Sequence, residues 1–150
     1  QKEVRLKSAY YIKYASHETD ENGNITVVHC TYDPESFGGE SPDGRKVKGT
    51  LHWVSANHSM DAEIRLYDRL FNVPNPSDEE GVSSFADNLN PESLTVLSNC
   101  KIDKSLANVT VGDTFQFMRQ GYFCVDKDSS EDKLIFNRTV ALKDSFQKKA

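Results

Sequence analysis

Apolar and polar residues alternate with a period of two over much of this chain, which predicts strands. VRLKSAYYIKY sets Val4, Leu6, Ser8, Tyr10, Ile12 and Tyr14 on one face and Arg5, Lys7, Tyr11 and Lys13 on the other, a half-buried strand with a basic outer face. ENGN follows at 21–24, and its Asn-Gly pair tolerates the positive φ of a type I′ turn. With the β-branched run ITVVHCTY behind it, this predicts a hairpin. FGGESPDG at 37–44 is a glycine- and proline-rich loop, after which KVKGTLHWVS alternates again, with Val47, Gly49, Leu51 and Trp53 on one side.

DAEIRLYDRLF at 61–71 fits both periods, stacking Ile64, Tyr67, Leu70 and Phe71 as a helix or alternating as a strand. Residues 72–93 are rich in proline and acid and read as a long connection between two halves. Short runs then follow, LTVLSNC, TFQFMR, YFCVD and LIFNRTVAL, with Gln120-Gly121 joining the middle two as a second hairpin. Many short strands with turn signals and little helix predict an all-β chain, and barrels are favoured because they remove exposed sheet edges.

Charge changes the picture more than composition does. The formal net charge is -5, which argues against a polyanionic partner. The sum hides a segregation: residues 1–13 carry +3, 14–43 carry -7, 44–52 carry +3, 72–99 carry -5 and 133–150 carry +4. Local basic patches can therefore meet RNA while the total stays acidic.

No run approaches the roughly 18 apolar residues of a membrane span, so no membrane partner is expected. The start of the chain has no signal-peptide pattern and enters directly on structure, as a piece of a longer protein would. Cys30, Cys100 and Cys124 have neither metal nor redox spacing and fit a reducing, cytoplasmic setting. Against that stand four Asn-x-Ser/Thr sequons, at Asn24, Asn57, Asn108 and Asn137, which keep a secreted β-sandwich as a rival.

Catalytic chemistry finds little support. His52, His58 and Asp61 match no metal spacing, and there is no GxSxG, HExxH, P-loop or dinucleotide turn. His29 and Cys30 are neighbours on a strand and so point to opposite faces. A binding role fares better. Arg5, Lys7 and Lys13 project from one strand, and FQFMRQGYF combines Gln116 and Arg119 with aromatic rings. Arginine and glutamine can pair with base edges, and rings can stack on unstacked bases. Phe115, Phe117, Tyr122 and Phe123 are nonetheless read mainly as core.

VRLKSAYYIKY, CTYDPES, DGRKVKGTLHWVSANH, EIRLYDRLFNVPNP, NPESL, FQFMRQGYFCVD and FNRTVALKD, in this order, closely resemble the C-terminal anticodon-binding domain of glutaminyl-tRNA synthetase. The related glutamyl-tRNA synthetases share the domain, but GRKVKGTLHWVS is more similar to the glutaminyl branch. The resemblance implies two six-stranded antiparallel β-barrels, of a type also found in a ribosomal protein, with the first barrel incomplete here. Residues 14–71 would form mainly one barrel and 72–93 the connection. Residues 94–150 with the N-terminal strand would form mainly the other.

The same resemblance implies a non-catalytic module that grips the anticodon loop of tRNA-Gln. Arg5 would read the first anticodon base, while Lys7, where relatives have arginine, would meet a phosphate because it lacks the planar fork. Gln116 and Arg119 would hold the middle base, and Lys143 and Ser145 would add loop contacts. EIRLYDRLF would be a strand, with Arg65 and Arg69 turned toward a carboxylate. ATP and magnesium would serve the catalytic domain of the same polypeptide, not this part of it, and the whole would be a monomer.

Overall fold

The computed structural model describes residues 2–77 and 84–142. They form two compact units, Gln1–Trp53 and Val54–Ala150. In the first, β1 (Glu3–Leu6), β2 (Tyr11–Thr19), β3 (Ile25–Asp33) and β4 (Gly49–Leu51) make one sheet in the order β3-β2-β1-β4. The run VRLKSAYYIKY is not one strand. It reverses after Leu6, where the Ala9 amide donates to the Leu6 carbonyl at 3.0 Å and Ser8 takes a left-handed φ of 59°. Arg5 is thereby paired across the ladder with Tyr11. Alternation missed this turn because no glycine or asparagine marks it.

The β2–β3 hairpin forms as predicted, with a different turn. Gly23 has a φ of 82°, whereas Asn22 is not left-handed, so both central positions of a type I′ turn are not present. Asp20 builds the turn instead: its carboxylate accepts from the Asn22 amide at 2.9 Å and the Asn24 amide at 2.8 Å. After β3 a short 3-10 turn, Pro34–Ser36, brings the buried Ser36 hydroxyl to the Tyr11 amide at 2.8 Å.

The second unit holds β5 (Ser59–Tyr67), β6 (Leu94–Asp103), β7 (Thr114–Phe117), β8 (Gly121–Val125) and β9 (Leu134–Ala141), in the order β6-β5-β9-β8-β7. The ambiguous segment is a strand to Tyr67, as the resemblance implied. Its inward residues Ala62 and Ile64 join Ile102, Phe123, Val125, Leu134 and Phe136 in the core. Phe136 is 0% exposed, and Phe117 stacks on Phe123 with centroids 4.5 Å apart. Burial of this apolar face is the main force holding the sheet.

Closed six-stranded antiparallel barrels are not what the chain forms. The two sheets have four and five strands, and each contains a parallel pair, β1 with β4 and β5 with β9. Closure would need a ladder between the outer strands, β3 with β4 or β6 with β7, and none is formed among the described residues. The predicted strand KVKGTLHWVS shrinks to Gly49–Leu51, because the residues before it belong to a loop held by Arg45 through side chains.

Each strand pairs within its own unit. The N-terminal strand β1 bonds to β2 and β4 in the first unit, while β5 sits with β6 and β9 in the second. The 72–93 stretch joins β5 to β6 within the second unit, where the Asn72 amide donates to the Asn88 carbonyl at 3.0 Å.

Candidate nucleic-acid interface

Arg5 lies on β1, half-buried, and donates through Nη2 to the Tyr11 hydroxyl at 3.2 Å. Its guanidinium sits over the Tyr11 ring, 5.3 Å from the centroid. Nε of Arg5 is the buried side-chain nitrogen or oxygen left without a hydrogen-bond partner among the described residues. Gly39 approaches its stem so closely that a Cβ there would stand 2.9 Å from Cδ. The arginine is thus held in place without being neutralised.

Arg45 is the opposite case. It donates to Glu3 at 2.9 Å, to Ser41 at 2.7 Å and to Asp43 at 2.6 Å, and also pairs with Asp33. The hydrogen bonds it donates to Glu3, Asp33 and Asp43 raise its pKa still further. Asp33 falls below the usual carboxylate range chiefly through its bond from Arg45, and Asp43 through the Arg45 amide and then the Arg45 side chain. One member of the basic stretch 44–52 is therefore spent inside the fold. Counting charges along the sequence could not show this, since Glu3 lies far away in the chain.

Lys7 is exposed, and its main chain is fixed. Its amide donates to the Leu51 carbonyl at 3.0 Å and its carbonyl accepts from Trp53 Nε1 at 3.0 Å. The single tryptophan thus anchors the end of β1. His58 lies near Asp103, whose pKa it helps to lower after the dominant bonds from Ser105. That pair belongs to the second unit; in the first, His29 pairs with Glu18 at 2.7 Å.

In the second unit Phe115 and Phe117 of β7 turn onto the core, which leaves Gln116 exposed on the outer face. Directly across the ladder is Tyr122, 45% exposed. The aromatic neighbours of Tyr122 group it with the core, but alternation with the buried Phe123 puts it outside. At the hairpin tip the Gln120 amide donates to the Phe117 carbonyl at 2.9 Å, and Arg119 is exposed with a φ of 66°. Residues with a Cβ seldom hold that conformation without a reason in the surroundings.

Arg65 points away from solvent partners, as expected. It donates to Glu63 at 2.9 Å and Asp128 at 3.1 Å and lies 3.5 Å from Asp126. Asp126 is held low by the Asp128 amide and by Asn137, whose amide nitrogen it accepts. The Arg69 side chain shows no such contact among the described residues; its amide donates to the Asp68 carboxylate at 2.7 Å and its carbonyl accepts from Asn90 Nδ2 at 2.9 Å. Lys143 and Ser145 lie outside the described residues. Among those described, no group of three or more His, Cys, Asp or Glu side chains is arranged to hold a metal ion, and no helix is long and apolar enough to cross a membrane. The three cysteines are free.

Two pairs of exposed or accessible polar side chains thus emerge, Arg5 with Lys7 on β1 and Gln116 with Arg119 on the β7–β8 hairpin. Residues 50–126, which include that hairpin, match the family described as tRNA synthetases class I (E and Q), anti-codon binding domain. The chain belongs to this family. It is 52% identical over 147 residues to a glutamine–tRNA ligase of Proteus mirabilis, covering 98% of this chain and 26% of that protein. It is 55% identical over 148 residues to the ligase of Vibrio campbellii, again 98% of this chain and 26% of the relative. With the ligase of Pseudomonas putida it shares 52% over 145 residues, 96% of this chain and 25% of the relative. The chain spans about a quarter of the length of these curated relatives. The matched family is an anticodon-binding one.

Proposed function

We propose that this chain binds the anticodon loop of tRNA-Gln and gives a glutamine–tRNA ligase its choice of tRNA. The observation that carries this is identity above half with glutamine–tRNA ligases over nearly the whole chain. The same relatives favour the glutaminyl reading over the glutamyl one. In this account the ligase's ATP and magnesium chemistry belongs to a catalytic domain of the same cytoplasmic, monomeric polypeptide.

Sequence-specific RNA recognition works on unstacked bases, whose edges accept hydrogen bonds and whose faces stack. The exposed Gln116 amide and Arg119 guanidinium supply the edge contacts for the middle anticodon base, and Tyr122 offers a ring beside Gln116. Arg5 reads the first base, its guanidinium held over the Tyr11 ring. Lys7, a point charge on an exposed site, meets a phosphate. Lys143 and Ser145 add contacts to the loop.

Competition tests the function. A tRNA-Gln anticodon stem-loop should displace labelled tRNA-Gln from the full-length protein, whereas the same stem-loop with its middle base changed should not. Equal displacement by both would sink the reading.

A further inference from the structure

Two cations of the second unit are half-buried among its described residues, Arg65 and Arg138. Their surroundings differ in kind. Arg65 is matched by Glu63, Asp126 and Asp128. The exposed Lys101 and Lys133 pair with Asp61 and Glu63. The Arg138 side chain makes no hydrogen bond or ion pair within the described residues. A lysine on the surface needs no partner because water solvates it. Arg138 is instead held by its packed stem with no anion of its own, so its guanidinium is placed to pair with one from outside.

Its position says where that anion would come from. Arg138 stands on β9 directly across from Phe123, so it emerges on the core face of the sheet. Its stem lies against Gly121: a Cβ on that glycine would be 3.4 Å from Arg138 Cδ and only 2.5 Å from the Val140 carbonyl oxygen. Gly121 closes the turn that carries Arg119. A bulge between Tyr122 and Phe123 then returns Val140 to the outer face beside Tyr122. Gln116 and Arg138 therefore leave opposite faces of the same hairpin end, with Arg119 at the tip between them.

We propose that Arg138 holds a backbone phosphate of the RNA loop, on the side of the hairpin tip away from Gln116. The assignment rests on the reading that this hairpin meets the anticodon loop. An RNA strand whose base is drawn to Gln116 and Arg119 has to carry its phosphates past the tip. The guanidinium fork matches two phosphate oxygens, and no aromatic ring among the described residues lies over it to mark a base-stacking role.

The experiment measures binding of tRNA-Gln and of its middle-base variant to the full-length protein between about 50 and 200 mM salt, where phosphate contacts show as slope. Arg138→Gln should weaken both RNAs about equally and flatten the log–log salt slope by about one. Arg138→Lys should keep the slope. Phosphate ethylation of the tRNA should lose one interference position in Arg138→Gln and none in Arg138→Lys. Since Arg138→Gln removes no partnered charge, its Tm should match wild type, and a lowered Tm with an unchanged slope would assign the residue to the fold instead. If wild type discriminates between the RNAs while Arg138→Gln keeps wild-type affinity and slope, this proposal falls alone. If wild type binds both RNAs equally, the anticodon reading falls and this proposal with it.

Discussion

The guanidinium of Arg45 lies over the ring of Tyr11, 5.2 Å from its centroid. The ring is 2% exposed and also carries Arg5 at 5.3 Å. One arginine is neutralised by Glu3, Asp33 and Asp43; the other keeps a free Nε. Tyr11 therefore joins a structural cation to the one proposed to bind RNA. Arg45→Gln should loosen the 37–48 loop and lower the melting temperature of the first unit. It should weaken RNA binding only through Arg5. Amide hydrogen exchange would check this, with protection lost around β1 and the loop and kept across β8 and β9.

Acid should act on the same cluster. Asp33 and Asp43 have folded pKa values below the ordinary 3.8, so the stability they contribute is present above that value and is lost as pH falls through the depressed ones. Wild type should hold its stability at neutral and mildly acidic pH and lose it below about 4. In Arg45→Gln the carboxylate of Asp33 should titrate nearer its ordinary value, visible by NMR, and the acid limb should become shallower. An unchanged Asp33 titration would contradict the assignment.

Arg119 holds a left-handed backbone, φ 66°, at the proposed point of contact. Replacing it with glycine should relieve the left-handed penalty and stabilise the second unit by about 0.5–1 kcal/mol, read by urea unfolding. The same variant should lose tRNA-Gln affinity. A variant that is both less stable and equally tight would separate the strain from the function.

Phe136 sits at the centre of the second unit, with Phe117 5.3 Å and Phe115 6.4 Å away between ring centroids. Phe136→Ala should cost about 3–5 kcal/mol. The fluorescence of Trp53 in the first unit serves as a separate probe. Loss of the β7–β8 hairpin's ordering should abolish RNA discrimination while the Trp53 signal persists.

Gly121 should tolerate no side chain. A methyl group there meets the Val140 carbonyl at 2.5 Å, on a backbone with φ of 144°. Gly121→Ala should destabilise the hairpin by more than about 1 kcal/mol and shift the exchange rates of Met118, Arg119 and Gln120.

How legible this was depended on range along the chain. The hairpin around Gln116 could be read because alternation and Gln120-Gly121 are local signals, although the strained residue proved to be Arg119. The same alternation should have placed Tyr122 outside, and its aromatic neighbours obscured it. The strand at EIRLYDRLF needed the resemblance, since its apolar residues satisfy both periods. Arg45 could not be read at all: its partners Glu3 and Asp33 come together only once β1, β3 and the 37–48 loop have folded. The same is true of the parallel pairings of Val4 with Gly49 and Ile64 with Phe136, which join distant segments and replaced the expected closed barrels by two mixed sheets. Charge segregation located basic stretches correctly but could not tell a spent arginine from an available one.

The central claim is that Gln116 and Arg119 read the middle anticodon base. Its most direct test is the ratio of aminoacylation kcat/KM for tRNA-Gln over a middle-base variant, in full-length wild type, Gln116→Ala and Arg119→Ala. Each substitution should collapse that ratio by an amount worth roughly 1–3 kcal/mol, mostly by loss on the cognate tRNA. A ratio unchanged from wild type in both variants would contradict the account.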